Sequence, residues 1–181
     1  MRRGPRALVA VAAWWLAAAA LVWAAGEIVV TPLVTDGKVM ASFTAIDTFG
    51  ADARELVKSG LPVTFDYMVE LRNPSVLWFD GTLASVQVSA SAKYDTLTDT
   101  YQVSKTRADK IVWSESTRDK EQVRAWMTAF EKILLEPAEA LEPNRDYYVQ
   151  VRLHQRPKRR FSFWPWGGDD GSGRANFTYL R

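Results

Sequence analysis

The chain has 181 residues, with 23 Lys and Arg, 21 Asp and Glu and one His, for a formal net charge of +2. Its 48% hydrophobic and 12% aromatic content can bury a core, which excludes global disorder, and the length suits one domain. There is no Cys, which excludes disulfides, thiol nucleophiles and a lipid-anchored lipoprotein.

The chain opens "MRRGPRALVAVAAWWLAAAALVWAAGE". Arg2, Arg3 and Arg6 precede 19 uncharged apolar residues, 7–25. A basic stretch followed by an apolar one is the form of an export signal. It is also about long enough to span a bilayer. Ten of the 19 residues are Ala, which is only weakly apolar, and this favours a signal cleaved after Ala24 over a stable anchor. Residues 1–25 are therefore predicted to be a signal peptide or N-terminal membrane anchor, and 26–181 a single exported domain. Its expected place is the periplasm, free or tethered to the inner membrane by residues 7–25. Without the three arginines the chain keeps 20 basic and 21 acidic side chains, a net charge of −1. That balance gives a nucleic-acid partner no global electrostatic support.

After Glu27 the dominant signal is period two. Residues 28–34 and 38–46 read as strands joined by the hairpin signal Asp36-Gly37. "GADARELVKSG" is the first helix, with Ala53, Leu56 and Val57 on one side and Gly60 as its C-terminal stop. "LPVTFDYMVELR" sets Leu61, Val63, Phe65, Tyr67, Val69 and Leu71 against Thr64, Asp66, Glu70 and Arg72, as a strand covered on one side does. "LASVQVSASAKYD" alternates in the same way, with small inward residues that allow close approach of an opposing layer. Strands 100–105 and 110–115 follow.

"SESTRDKEQVRAWMTAFEKILLEP" (114–137) predicts a longer amphipathic helix. Val123, Trp126, Met127, Phe130, Ile133 and Leu134 recur at helical steps, Ser116 and Asp119 approximate a capping box, and Pro137 marks the stop. "YYVQVRLHQR" and residues 175–180 close the chain as strands, and "GGDDGSG" between them is an exposed loop. Strands and helices in this order predict a mostly β fold. The expected architecture is an antiparallel β-sandwich, immunoglobulin-like, with one short and one longer amphipathic helix.

The stretch "SGLPVTFDYMVELRN", then Trp78, "AKYDTLTDTYQVSK" and "NRDYYVQVRLHQRP" resemble an uncharacterised bacterial envelope family known only as a domain of unknown function. The resemblance covers about residues 38–180. It implies an exported single domain, and it brings no catalytic residues with it. "RPKRRFSFWPWGG" departs from that family's pattern.

Little in the chain points to catalysis. His154 is the single histidine, it falls on the polar side of a strand, and no G-x-S-x-G elbow accompanies it. One His and no Cys do not make a tetrahedral zinc site. Asp169 and Asp170 sit in a glycine loop without the calcium-loop register, and a solvated turn explains them better. Asp66 and Glu70 stand four residues apart along one strand, about 13 Å, too far to act as a hydrolytic pair. No phosphate-binding or dinucleotide fingerprint is present. We expect a non-enzymatic protein with no cofactor and no metal.

The distinctive stretch is "KRRFSFWPWGG". Arg156, Lys158, Arg159 and Arg160 precede Trp164 and Trp166. One reading makes it a hairpin turn followed by a core-capping strand. The functional reading is an interface: indoles favour the headgroup level of a membrane, cations favour anionic lipid, and Arg with Trp is the composition of protein hot spots. These six residues are the expected binding set of an envelope interaction module, with a protein partner or the membrane surface as its ligand. The alternative is a carbohydrate- or peptidoglycan-binding module with the indoles as stacking platforms.

Overall fold

The computed structural model describes residues 27–74, 81–155 and 171–180. Period two becomes strand wherever one side of the alternation is apolar. The strands are β1 (Ile28–Thr35), β2 (Lys38–Ala45), β3 (Val63–Asn73), β4 (Gly81–Asp95), β5 (Thr100–Arg107), β6 (Lys110–Thr117), β7 (Ala129–Pro137), β8 (Arg145–Gln155) and β9 (Ser172–Tyr179). Two helices, α1 (Ala51–Lys58) and α2 (Lys120–Thr128), and a short 3-10 turn (Ala138–Ala140) complete the described elements. The strands form two antiparallel sheets, ordered β1-β2-β7 and β6-β5-β4-β3-β8-β9.

The predicted inward sides of β3, from Phe65 on, and of β8 meet one side of β2 in one core, whereas Leu61, expected on the inward side of β3, lies ahead of the strand and is 55% exposed. Phe65, Tyr67, Val69 and Leu71 of β3 and Tyr147, Val149, Val151 and Leu153 of β8 are buried, as are Val39, Ala41, Phe43 and Ala45 of β2. Across the sheets, the Phe43 ring lies 4.9 Å from Tyr67, and Phe130 of β7 stacks on Phe43 at 5.1 Å. Tyr67 puts a polar group into this core, and its hydroxyl donates to the Met127 carbonyl at the end of α2, 3.1 Å away. That bond satisfies both a buried phenol and an end-of-helix carbonyl.

Local chemistry sets the connections. Asp36 and Gly37 both take positive φ, 50° and 67°, so the β1–β2 hairpin is a tight two-residue turn of the expected kind. Ala108 and Asp109 adopt the same geometry between β5 and β6, at 47° and 62°, without a glycine. The α1 helix ends in a Schellman motif. Gly60 N–H donates to the Val57 carbonyl at 3.0 Å and Leu61 N–H to Leu56 at 3.2 Å, with Gly60 at φ +81°.

One expectation is corrected. The helix predicted over 114–137 occupies only Lys120–Thr128. Residues up to Thr117 belong to β6, and from Ala129 the chain is β7, a ninth strand that the periodicity hid. Ser116 is a strand residue opposite Gln102, and Asp119 caps the helix by accepting from the Glu121 N–H at 2.9 Å. The cause is two bulges. The β2–β7 register slips between Ala41 and Phe43 and again between Val39 and Met40. Lys132 sits at φ 50° in the first bulge, its N–H on the Ser42 hydroxyl at 3.1 Å. An extra strand residue changes the inward spacing from two to three, as from Phe130 to Ile133, and three is also a helical step.

Candidate functional site

The register brings functional-looking groups together at one end of the domain. Glu27 forms an isolated parallel bridge with Ser172, and Ile46 N–H donates to the Glu27 carbonyl at 2.7 Å. Gly173 is wedged against Ile28: a Cβ there would stand 1.9 Å from the Ile28 carbonyl oxygen. Leu153 N–H donates to the Gly171 carbonyl at 2.8 Å, which holds the two chain ends that flank residues 156–170 side by side. So the point where the chain emerges from residues 1–26 and both ends of the basic-aromatic stretch are fastened together. The β4–β5 hairpin tip, the start of β3 and both helices share this end, with Leu97 95% exposed at the tip and Leu61 55% exposed ahead of β3.

Arg156, Lys158, Arg159, Arg160, Trp164 and Trp166 themselves lie outside the described residues, as do Asp169, Asp170, Trp78 and the apolar stretch 7–25. Among the described residues no helix is long and apolar enough to cross a membrane. No group of three or more His, Asp or Glu among them is placed to hold a metal ion.

At the same end lies a cavity of about 190 Å³, lined by Lys58, Tyr94, Asp99, Tyr101, Arg118 and Lys120. The Tyr94 and Tyr101 rings are 4.8 Å apart. Tyr94 donates its hydroxyl to the Asp99 carboxylate, and this bond holds the phenol above its ordinary pKa. None of the ion pairs among the described residues involves Lys58, Arg118 or Lys120. Periodicity could not find this site, because its residues come from a helix end, a hairpin and a strand–helix junction.

The outer side of the large sheet is more ordered than a solvated surface. Asp66 is only 8% exposed and accepts from the Ser89 hydroxyl at 2.6 Å. Glu70 pairs with Arg152 at 2.6 Å and lies 4.0 Å from Arg72. Arg174 lies over the Tyr148 ring at 3.6 Å, and Tyr148 is 2% exposed. His154 is exposed and faces Asp66 in register, so Ser89, Asp66 and His154 run side by side across three strands. The order is wrong for nucleophilic catalysis. The carboxylate stands between the hydroxyl and the imidazole, whereas a triad needs the imidazole between them.

The second edge of the fold carries a clamp. Tyr101, Val103, Lys105 and Arg107 share the inward parity of β5. Lys105 donates to the Ala129 carbonyl and Arg107 to the Leu134 carbonyl, both at 2.7 Å, so two β5 side chains satisfy backbone acceptors of β7. Lys105 also stands over the rings of Phe130 and Trp113, at 4.7 and 5.5 Å, and Trp113 packs edge-on against Trp126 at 4.8 Å. Burial pushes the Lys105 pKa down. A cation at an inward position of a strand was the sequence signal for this clamp.

A family model described as a domain of unknown function, DUF4390, matches residues 25–158. The chain belongs to that family. The matched stretch runs from before β1 through β8, and β9, which supplies Ser172 and Gly173 to the junction, follows it. No curated protein and no solved structure matches the chain.

Proposed function

We propose that this protein is a non-enzymatic interaction module of the cell envelope, exported by residues 1–25 or held to the inner membrane by them. Its contact is the end that carries the Glu27–Ser172 junction, and its ligand is the membrane surface or a protein partner seated there. The supporting observation is that junction. It fastens the exit of the apolar N-terminal stretch to the two ends of the segment with Arg156, Lys158, Arg159, Arg160, Trp164 and Trp166. Exposed Leu61 and Leu97 and the cations Lys58, Arg118 and Lys120 lie at the same end. Apolar tips among cations suit an anionic bilayer surface.

The two sheets are proposed to form an immunoglobulin-like sandwich. In support, the chain passes between sheets at β2–β3, β6–β7 and β7–β8, and the inner sides touch at Phe43 and Tyr67. An experimental structure whose sheets pack aligned through those two rings is the expected outcome.

Co-sedimentation of residues 26–181 with phosphatidylglycerol vesicles tests the functional reading. Binding is expected, weakened between low and physiological salt and lost in Trp164→Ala/Trp166→Ala. Absence of binding by the unaltered protein would remove the bilayer as the ligand and leave the partner protein. Binding to sedimented peptidoglycan in place of vesicles would favour the carbohydrate alternative.

A further inference from the structure

We infer that the cavity between the C-terminal end of α1, the β4–β5 hairpin and the start of α2 is a binding site for a phosphate group. Two segments far apart in sequence bring three cations to it: Lys58 from the end of α1, and Arg118 and Lys120 from either side of the α2 cap. Like charges gathered around one concavity repel, and an anion between them removes that cost. The one carboxylate in the lining, Asp99, accepts from the Tyr94 hydroxyl and offsets only one of the three charges. Asp119, which stands between Arg118 and Lys120 in sequence, accepts from the Glu121 N–H as the α2 cap and does not line the cavity. The lining thus offers three cations to one carboxylate, and none of the three is in an ion pair among the described residues.

The remaining lining fits the same ligand. Tyr101 is buried and Tyr94 half-buried, so the floor is a tilted aromatic pair, the rings at 48° to each other, while the cations stand exposed at the rim. A cavity of about 190 Å³ holds the volume of roughly six waters, enough for a phosphate group and part of what it is esterified to. Arg118 supplies the planar fork that suits two phosphate oxygens, and the lysines supply point charges. The α2 backbone is not needed, since Asp119 already occupies its N-terminus. The phosphate belongs either to a lipid headgroup, which the position at the same end of the domain as the Glu27–Ser172 junction favours, or to a soluble phosphate. The headgroup source rests on the membrane reading above, whereas the pocket itself does not.

The test uses the full chain in neutral maltoside micelles, with backbone amide shifts at Tyr101 and Lys120 as the readout. One arm titrates inorganic phosphate and the other monomeric dihexanoyl phosphatidylglycerol. Saturable shifts in at least one arm are expected, weakened roughly tenfold or more in Arg118→Gln/Lys120→Gln and by less in Lys58→Gln. The turn amides at Ala108, at the opposite end, should not move in either variant, which separates lost binding from lost fold. Saturation by the lipid alone assigns a headgroup, and equal saturation by both assigns a soluble phosphate. No saturable shift in either arm, or unchanged binding by the double variant, overturns the proposal. Trp164→Ala/Trp166→Ala should bind phosphate as the unaltered protein does, even where it no longer binds vesicles. The two readings can therefore fail separately.

Discussion

Tyr67 shows what one polar group in a core does. It is fully buried, its ring touches Phe43 and Phe130, and its hydroxyl serves the Met127 carbonyl. Tyr67→Phe keeps the rings and orphans that carbonyl, so urea unfolding at neutral pH should show a loss of about 1–3 kcal/mol. Burial also raises the phenol pKa above its ordinary 10.0. The unfolded phenol then releases its proton near pH 10.0 while the folded one keeps it. Its contribution to stability is flat below that pH and falls above it, by up to about 1.4 kcal/mol per pH unit. Urea midpoints measured from pH 9 to 11.5 should fall less steeply in Tyr67→Phe than in the unaltered protein. Ala108 carries the opposite kind of imperfection. It holds a positive φ in a two-residue turn, where a Cβ is a burden. Ala108→Gly should raise stability by about 1 kcal/mol, read as a higher thermal midpoint, and an unchanged or lower midpoint would mean the turn bears no strain.

Among the elements, β9 and β7 are the ones that tie the sheets together. Gly173 lets β9 lie against Ile28 of β1, and no side chain fits between them. Gly173→Ala must push the two strands apart, so a loss of about 3 kcal/mol or more is expected. Its measurement is chemical unfolding beside Gly50→Ala, which meets nothing within 4 Å and serves as the control. At the other edge, Lys105 and Arg107 reach across to β7 carbonyls, so side chains continue there what strand pairing does elsewhere. The legibility of the elements follows from their regularity. β3 and β8 alternate with few breaks, Met68 among them, and are legible in the sequence because one side is core along most of their length. β7 alternates only between bulges, and the alternation breaks at Lys132 and Leu135. A period-two test reads the result as three-residue steps, and the helix before it supplies the rest of the pattern. The α1 stop was legible because Gly60 has a local reason to be there, a left-handed residue closing a Schellman motif.

For the whole molecule, β3 lies in the interior of the six-stranded sheet between β4 and β8, whereas β6 is its last described strand and is bulged at Val112. Amide exchange should therefore be slowest in β3 and β8 and fastest along β6, with Ile111 and Val112 among the first to exchange. Equal protection of β6 and β3 would mean that something pairs with β6 in solution. The Glu27–Ser172 junction, the exposed leucines, the cationic cavity and the flanks of residues 156–170 share one end because both helices and the strand ends gather there. Membership of a domain-of-unknown-function family was legible in "SGLPVTFDYMVELRN" and "NRDYYVQVRLHQRP", strings that belong to the paired strands β3 and β8. The sequence by itself determined the strands with one buried side, the Asp36-Gly37 and Gly60 turns and the family, since each is written in neighbouring residues. Only the tertiary structure decided the length of α2, the existence of β7 and the meeting of Lys58, Tyr94, Tyr101, Arg118 and Lys120 around one cavity. Those depend on register and on contacts between distant segments, and a chain read one neighbourhood at a time carries no signal of which distant residues will share a wall.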